Sequence, residues 1–124
     1  MSKTIGQVEA ELTTAIVRFE KEYLGRGPKD ARTYIIEDMI LIRLKGILTP
    51  AEQKLAENKE SRSLVKETRR QLFESSRPLL AEMVRQVTGA ELVSLHTDMS
   101  SMTGERIVVL TTDANLQKVF NSSG

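Results

Sequence analysis

SRSLVKETRRQLFESSRPLLAEMVRQVTG, residues 61–89, decides how this chain is read. Leu64, Leu72, Phe73, Leu79, Leu80, Met83, Val84 and Val87 recur mostly at three- and four-residue steps, so a helix here carries one apolar stripe and a charged back. Such a stripe has to be covered. At about 1.5 Å per residue a continuous helix of this span is roughly 40 Å long, whereas strands of about six residues reach only about 20 Å. Half of the helix should therefore overhang a sheet built from the flanking segments. The richer half, Pro78 to Val87, is assigned to the sheet. The sparser half, Ser61 to Ser76, is left to meet the short helix before it or a second copy of the protein. Pro78 is the weak point, because inside a helix it removes a backbone hydrogen bond and clashes with the preceding turn, at about 3 kcal/mol. Either one long helix kinks there, which is the expectation adopted, or Ser76 caps a new helix that begins near Pro78.

On the N-terminal side, Ile5, Val8, Leu12, Ala15, Ile16, Phe19, Tyr23 and Leu24 predict a first helix, with Gly25 where a left-handed cap residue belongs. Pro28 cannot continue it. Ala31 to Ile36 and Met39 to Leu44 are β-rich runs separated by Glu37-Asp38, a hairpin lacking the Gly that the tightest turns favour. Both runs are apolar at nearly every position, which predicts strands covered on both faces or near the middle of a sheet. Thr49-Pro50-Ala51-Glu52 is a capping box with Pro in the first turn, predicting a short helix to about Glu57. On the C-terminal side Gly89 ends the long stretch, and Glu91 to Thr97 and Arg106 to Thr112 supply a second pair of alternating runs. Helix, Gly, hairpin thus occurs twice, an architectural echo rather than a sequence repeat. Asp113 is placed to cap a last short helix containing Leu116, Val119 and Phe120, before Asn121 to Gly124 fray.

The fold class that follows is α+β: one domain, residues 1–124, with a four-stranded, mostly antiparallel sheet and helices packed on it in the order αββααββ, plus a short C-terminal helix. There are 18 Lys+Arg against 17 Asp+Glu, a net charge of +1, so no global field recruits nucleic acid or an anionic membrane surface. Nucleic acid is accordingly not an expected partner. The absence of Cys removes disulfide and thiolate chemistry, and a single His puts the usual zinc ligand sets out of reach. Neither metal nor cofactor is expected. The segment MSKTIGQVEAEL lacks the apolar core of a signal peptide, and no apolar run approaches the roughly 18 residues of a membrane span, so a cytosolic location is expected.

Candidate chemistry is sparse. Gly25, Arg26, Gly27, Pro28 and Lys29, with Arg32 nearby, form a glycine loop with cations that could hold an anion or a protein partner. Phosphate loops, however, open a helix, where free amides and the positive dipole end face the anion, and this loop closes one. The plain reading makes Arg26 and Lys29 partners for the carbonyls at the helix end. His96 stands alone, without a Ser or Cys nucleophile, and reads as structural or as a surface residue. Lys66, Arg69, Arg70, Arg77 and Arg85, interrupted by Glu67, Glu74 and Glu82, read as a solvated face laced with helical ion pairs. No nucleophile, base and orienter can be assembled, so the chain is not expected to be an enzyme.

Taken together, Glu22-Tyr23-Leu24-Gly25-Arg26-Gly27-Pro28, Tyr34 to Leu44, Gly46-Ile47-Leu48-Thr49-Pro50-Ala51-Glu52, Gly89, Asp98 and Thr103-Gly104-Glu105-Arg106 resemble the MpsC family of small bacterial proteins. The resemblance runs from about Ile5 to Thr112. It implies a non-enzymatic accessory to a sodium-translocating, membrane-potential-generating system linked to inorganic-carbon (bicarbonate) uptake. Transporter subunits are then the implied partners, with the chain in the cytosol or peripheral to the inner face of the membrane. The family offers no catalytic residues to carry over. A homodimer is expected from the overhanging helix. The alternative reading is a small-ligand- or nucleic-acid-binding regulator using Arg26, Lys29 and Arg32.

Overall fold

The computed structural model describes residues 3–120. The order is α1 (Ile5–Tyr23), β1 (Asp30–Ile36), β2 (Met39–Lys45), α2 (Pro50–Leu55), α3 (Lys59–Ser75), α4 (Arg77–Thr88), β3 (Leu92–Ser100), β4 (Glu105–Thr112) and α5 (Leu116–Val119). This is the predicted α+β arrangement, with the long central stretch divided into two helices. The fraying expected of Asn121 to Gly124 lies outside the described residues.

The helix starts are chemical. Thr4 and Gln7 form a capping box on α1, and Thr49 and Glu52 form the expected one on α2, with the Glu52 amide donating to Thr49 Oγ1 at 3.1 Å and the Thr49 amide donating to Glu52 Oε1 at 2.9 Å. Gly25 and Gly89 take positive φ just beyond α1 and α4, as the Gly-after-helix pattern required. At Ser76 the expected kink is instead a break. The amides of Leu79 and Leu80 both turn to the Ser76 carbonyl and α4 starts afresh, so Pro78, which has no N–H, sits in a first turn that needs none.

The four strands form one antiparallel sheet in the order β1-β2-β4-β3. Each αββ unit contributes a hairpin, the second strands of the two hairpins pair at the centre, and α1 packs on α4. The echo in the sequence is thus an approximate two-fold in the fold. The inward row of Ile40, Ile42, Leu44, Val108 and Leu110 is buried beneath Leu12, Ile16, Leu80 and Val84. Neither early strand is covered on both faces: β2 is central, β1 is an edge, and the second face of the sheet has no helix of the described residues over it. The apolar excess of the two runs lies on that open face.

The helical stripe also differs from the expected one. In α3 the buried residues are Val65, Arg69 and Phe73, while Leu64 and Leu72 are exposed, so α3 does not overhang but lies against β3 and α2. The free edge of β1 is closed by α1: the Ile35 amide donates to Glu9 Oε2 at 2.9 Å, and Thr13 and Thr33 share a hydroxyl hydrogen bond at 2.8 Å.

The β1–β2 turn holds Glu37 at φ 55°, a left-handed angle that costs a non-glycine residue roughly 1 kcal/mol. The turn is held because its carbonyls are used: Glu37 O accepts the Leu116 amide at 2.9 Å, and Asp38 O accepts the Thr112 amide at 2.9 Å. Glu37→Gly is expected to raise stability by about 0.5–1 kcal/mol, measured by urea denaturation, because it relieves the angle without touching those carbonyls.

Candidate functional site: three loops around buried charge

Three of the segments that carried the family resemblance, residues 25–28, 46–52 and 103–106, lie far apart in the chain and meet at one end of the sheet, whereas Gly89 and the Glu37-Asp38 turn lie toward the other end. The Gly25–Lys29 loop reaches the β2–α2 connection through Arg26, whose Nη1 donates to Leu48 O at 2.7 Å. The β3–β4 turn reaches it from the other side, with Gly104 O accepting the Ile47 amide at 3.2 Å. From beneath, Arg69 Nη2 donates to Ile47 O at 3.1 Å. Residues Ile47 and Leu48 are fully and almost fully buried as a result.

Under this junction lies an ionic cluster that the residue patterns did not disclose. Arg69, read from the sequence as part of a solvated face, is 3% exposed. It forks onto Glu52, with Nε to Oε2 at 2.8 Å and Nη2 to Oε1 at 2.6 Å, the two-point geometry that favours Arg over Lys. Arg70 pairs with Glu67 and Glu74 and Arg85 with Glu82, the expected helical ion pairs, whereas Arg85 also reaches Glu91, Lys66 reaches Asp98 on β3, and Arg77 Nη2 donates to Val93 O at 3.1 Å.

Arg106 is the deepest charge, 1% exposed at the first inward position of β4. Its guanidinium lies 4.6 Å from the centre of the Phe73 ring, donates to Thr97 Oγ1 at 3.0 Å and to Arg69 O at 3.3 Å. Glu20, in the last turn of α1, is fully buried and within electrostatic reach of both arginines. Phe19 meets Phe73 edge-on at 5.6 Å, so two rings wall the group. With both carboxylates ionised the four charges sum to zero. Yet Glu20 Oε1 and Oε2, Arg69 Nη1 and Arg106 Nε have no hydrogen-bond partner among the described residues, so Coulomb attraction across the core, rather than contact, couples Glu20 to the rest.

The environments push the two carboxylates apart. Burial raises the Glu20 pKa above its ordinary value, with Arg106 and then Arg69 opposing. Burial also acts to raise Glu52, but the Arg69 hydrogen bonds, the Thr49 amide and the Arg69 charge together hold it below the ordinary value. Burial lowers the Arg106 pKa, opposed by Glu20.

The other predicted site residues are dispersed. Gly25 is a helix stop, and Gly27 lies against the Lys21 stem, where a Cβ would come within 2.8 Å of Lys21 Cε. Pro28 is half-buried and leads into β1. Arg26 serves the Leu48 carbonyl, not the end of α1 as expected. Lys29 is exposed, its amide donating to Lys45 O at 2.8 Å, and its stem crowds Gly46. Arg32 is on the open sheet face opposite Arg43, away from the α1 end. His96 is exposed on that same face, 3.1 Å from Ser94 Oγ. A shallow cleft of about 320 Å³ borders the junction, lined by Gly46, Leu48, Gln53, Arg62, Met102 and Gly104 among others. Among the described residues no group of three or more His, Cys, Asp or Glu could hold a metal ion.

A signal for the buried charges exists in the chain. Glu20 extends the four-residue series Val8, Leu12, Ile16; Arg69 stands midway between Val65 and Phe73; and Arg106 opens the alternation Val108, Leu110, Thr112. Each charge sits on a core stripe.

The site defines a class: a small α+β protein in which two αββ units share one sheet and a largely buried set of two acids and two arginines underlies the meeting of three loops. The chain belongs to the MpsC family, described as a Na+-translocating membrane potential-generating system, whose model matches residues 4–114. It is similar to uncharacterized protein YbcI of Bacillus subtilis (strain 168), 43% identical over 118 residues and 95% of each chain. A second Bacillus subtilis (strain 168) protein, uncharacterized protein YrhF, is 31% identical over 93 residues, 72% of this chain and 74% of the relative. No solved structure matches the chain.

Proposed function

We propose that this chain is a non-enzymatic accessory of a sodium-translocating, membrane-potential-generating system that serves inorganic-carbon uptake. In this reading it acts in the cytosol, at the inner face of the membrane, through contacts with transporter subunits. The observation that carries the reading is the family match over nearly the whole chain, joined to the architecture. No helix of the described residues is long and apolar enough to cross a membrane, so translocation within such a system is assigned to another polypeptide. The junction supports a scaffolding role, since its arginines are engaged by loop carbonyls and internal carboxylates instead of facing a cleft. The exposed cation Lys29 remains for a partner to contact.

The test is genetic. Deleting the gene is expected to lower the sodium-dependent part of the membrane potential, read with a potential-sensitive dye, and to slow growth when bicarbonate is limiting, with both restored by the intact chain. An unchanged potential at every sodium and bicarbonate level overturns the reading.

A further inference from the structure

The open face of the sheet is apolar at its centre and charged along one end. Two cross-sheet rows, Tyr34–Leu41–Val109–His96 and Ile36–Met39–Thr111–Ser94, put five apolar or aromatic side chains in one patch, with Tyr34 44% and Ile36 42% exposed. A third row runs Arg32–Arg43–Ile107–Asp98, and at the very end Asp30 lies opposite Lys45 and Glu105 opposite Ser100. Arg32, Arg43 and Lys45 outweigh Asp30 on the β1–β2 half of this end, while Asp98 and Glu105 make the β3–β4 half acidic. Contiguous apolar area of this kind, rimmed by charge, is characteristic of interaction surfaces.

We infer that the occupant of this face is a second copy of the chain, packed sheet to sheet about a two-fold axis that runs parallel to the strands between β2 and β4. That operation reverses the strand order over the face while keeping each row level. Arg32 then meets Asp98 of the second copy and Lys45 meets Glu105, each pair occurring twice, while Leu41 meets Val109 and Tyr34 meets His96 in the middle. Asp30 falls opposite the neutral Ser100, so no like charges are brought together. A two-fold across the strands does the opposite and lays the charged row over the apolar ones. Self-complementary charge thus selects one symmetric packing, as a two-fold interface requires. Asp98 is 76% exposed at its side chain, leaning on Lys66 at 3.1 Å, and has room for a further cation. Glu105 pairs with Arg43 Nε of its own copy at 2.6 Å and keeps its second carboxylate oxygen for a further cation.

The size is adequate. Four strands about 4.8 Å apart and about seven residues long give a flat area of about 400 Å² per copy. With side-chain relief, two such faces approach the roughly 1,200 Å² at which stable interfaces begin. Sheets pack face to face at about 10 Å with strands nearly aligned, which this axis permits. The dimer so defined leaves the three-loop junction and the outer helix surfaces free, and it stands whether or not the transport reading holds.

Sedimentation equilibrium of the full chain tests it. The expected mass is near twice 13.9 kDa at about 100 μM, shifting toward the monomer on dilution or with Leu41→Asp, a half-buried position whose change leaves the core intact. Arg32→Asp and Asp98→Lys should each weaken self-association at least about tenfold by placing like charges opposite each other. Mixing these two variants should restore a heterodimer, because the introduced aspartate then meets the introduced lysine at one contact and the original Arg32–Asp98 pair meets at the other. A monomer at every concentration overturns the inference. So does a dimer indifferent to Leu41→Asp, or variants that fail to recover on mixing while circular dichroism reports native folding.

Discussion

Arg106→Met is expected to lower the stability of the chain by about 3–5 kcal/mol near pH 8, because it strands Glu20 in the core with only the more committed Arg69 for a counter-charge. The dependence on pH is the diagnostic part. Glu20 has a raised pKa in the folded protein, so between its ordinary value near 4.5 and the folded value the native state holds a proton that the unfolded state has released. Its contribution to stability is therefore greatest below that window and is lost as pH rises through it. Removing Arg106, the larger of the two opposing charges, pushes the Glu20 pKa higher still and widens the window. The penalty of the variant should thus be smaller at acidic pH, below the folded value, than near pH 8. Glu52 works in the opposite sense, its depressed pKa contributing stability that disappears as pH falls through the folded value. Replacing both Glu20 and Arg106 by Met should recover most of the loss and flatten the difference between the two pH values, since a neutral pair of similar volume leaves no stranded charge. Urea denaturation at fixed protein concentration measures all three proteins. An equal penalty at both pH values, or no recovery in the double variant, would mean that Glu20 and Arg106 are not energetically coupled.

Phe73→Ala should cost about 3–5 kcal/mol, the range for deleting a buried aromatic ring. Phe73 is fully buried and serves two contacts at once: its edge-on meeting with Phe19 joins α3 to α1, and its face supports the Arg106 guanidinium. Phe73→Leu separates the two roles. Leucine fills much of the volume but offers no negative ring face, so the loss should fall to about 1–2 kcal/mol, with the remainder dominated by Arg106. In an Arg106→Met background the cost of Phe73→Leu should shrink by the cation–ring share, about 1 kcal/mol. An undiminished cost would assign Phe73 to packing alone.

The central stretch teaches what its pattern can and cannot carry. A three- and four-residue step identified helix, yet Leu64, Leu72 and Leu79 turn out exposed while Arg69 is buried, because hydropathy ranks a leucine above an arginine at every position. Only the arrival of Glu52 and the Ile47 carbonyl from α2 and its approach loop makes burial of Arg69 tolerable. The same holds for Pro78. Its clash was legible, but whether the helix bends or restarts depends on where Ser76 directs its carbonyl and on what α4 must cover.

Capping boxes at Thr4 and Thr49, the glycines at 25 and 89, the alternation of four β-segments and the doubling of helix, Gly and hairpin are settled within a few residues of one another, since sterics and local hydrogen bonds act at that range. The family motifs are equally legible as strings. That three of them converge, that Glu20 and Glu52 oppose Arg69 and Arg106 beneath them, and that one sheet face stays open with its basic half beside its acidic half are facts of assembly. They depend on the strand order β1-β2-β4-β3, and long-range pairing energy is a sum over distant partners that no single segment records.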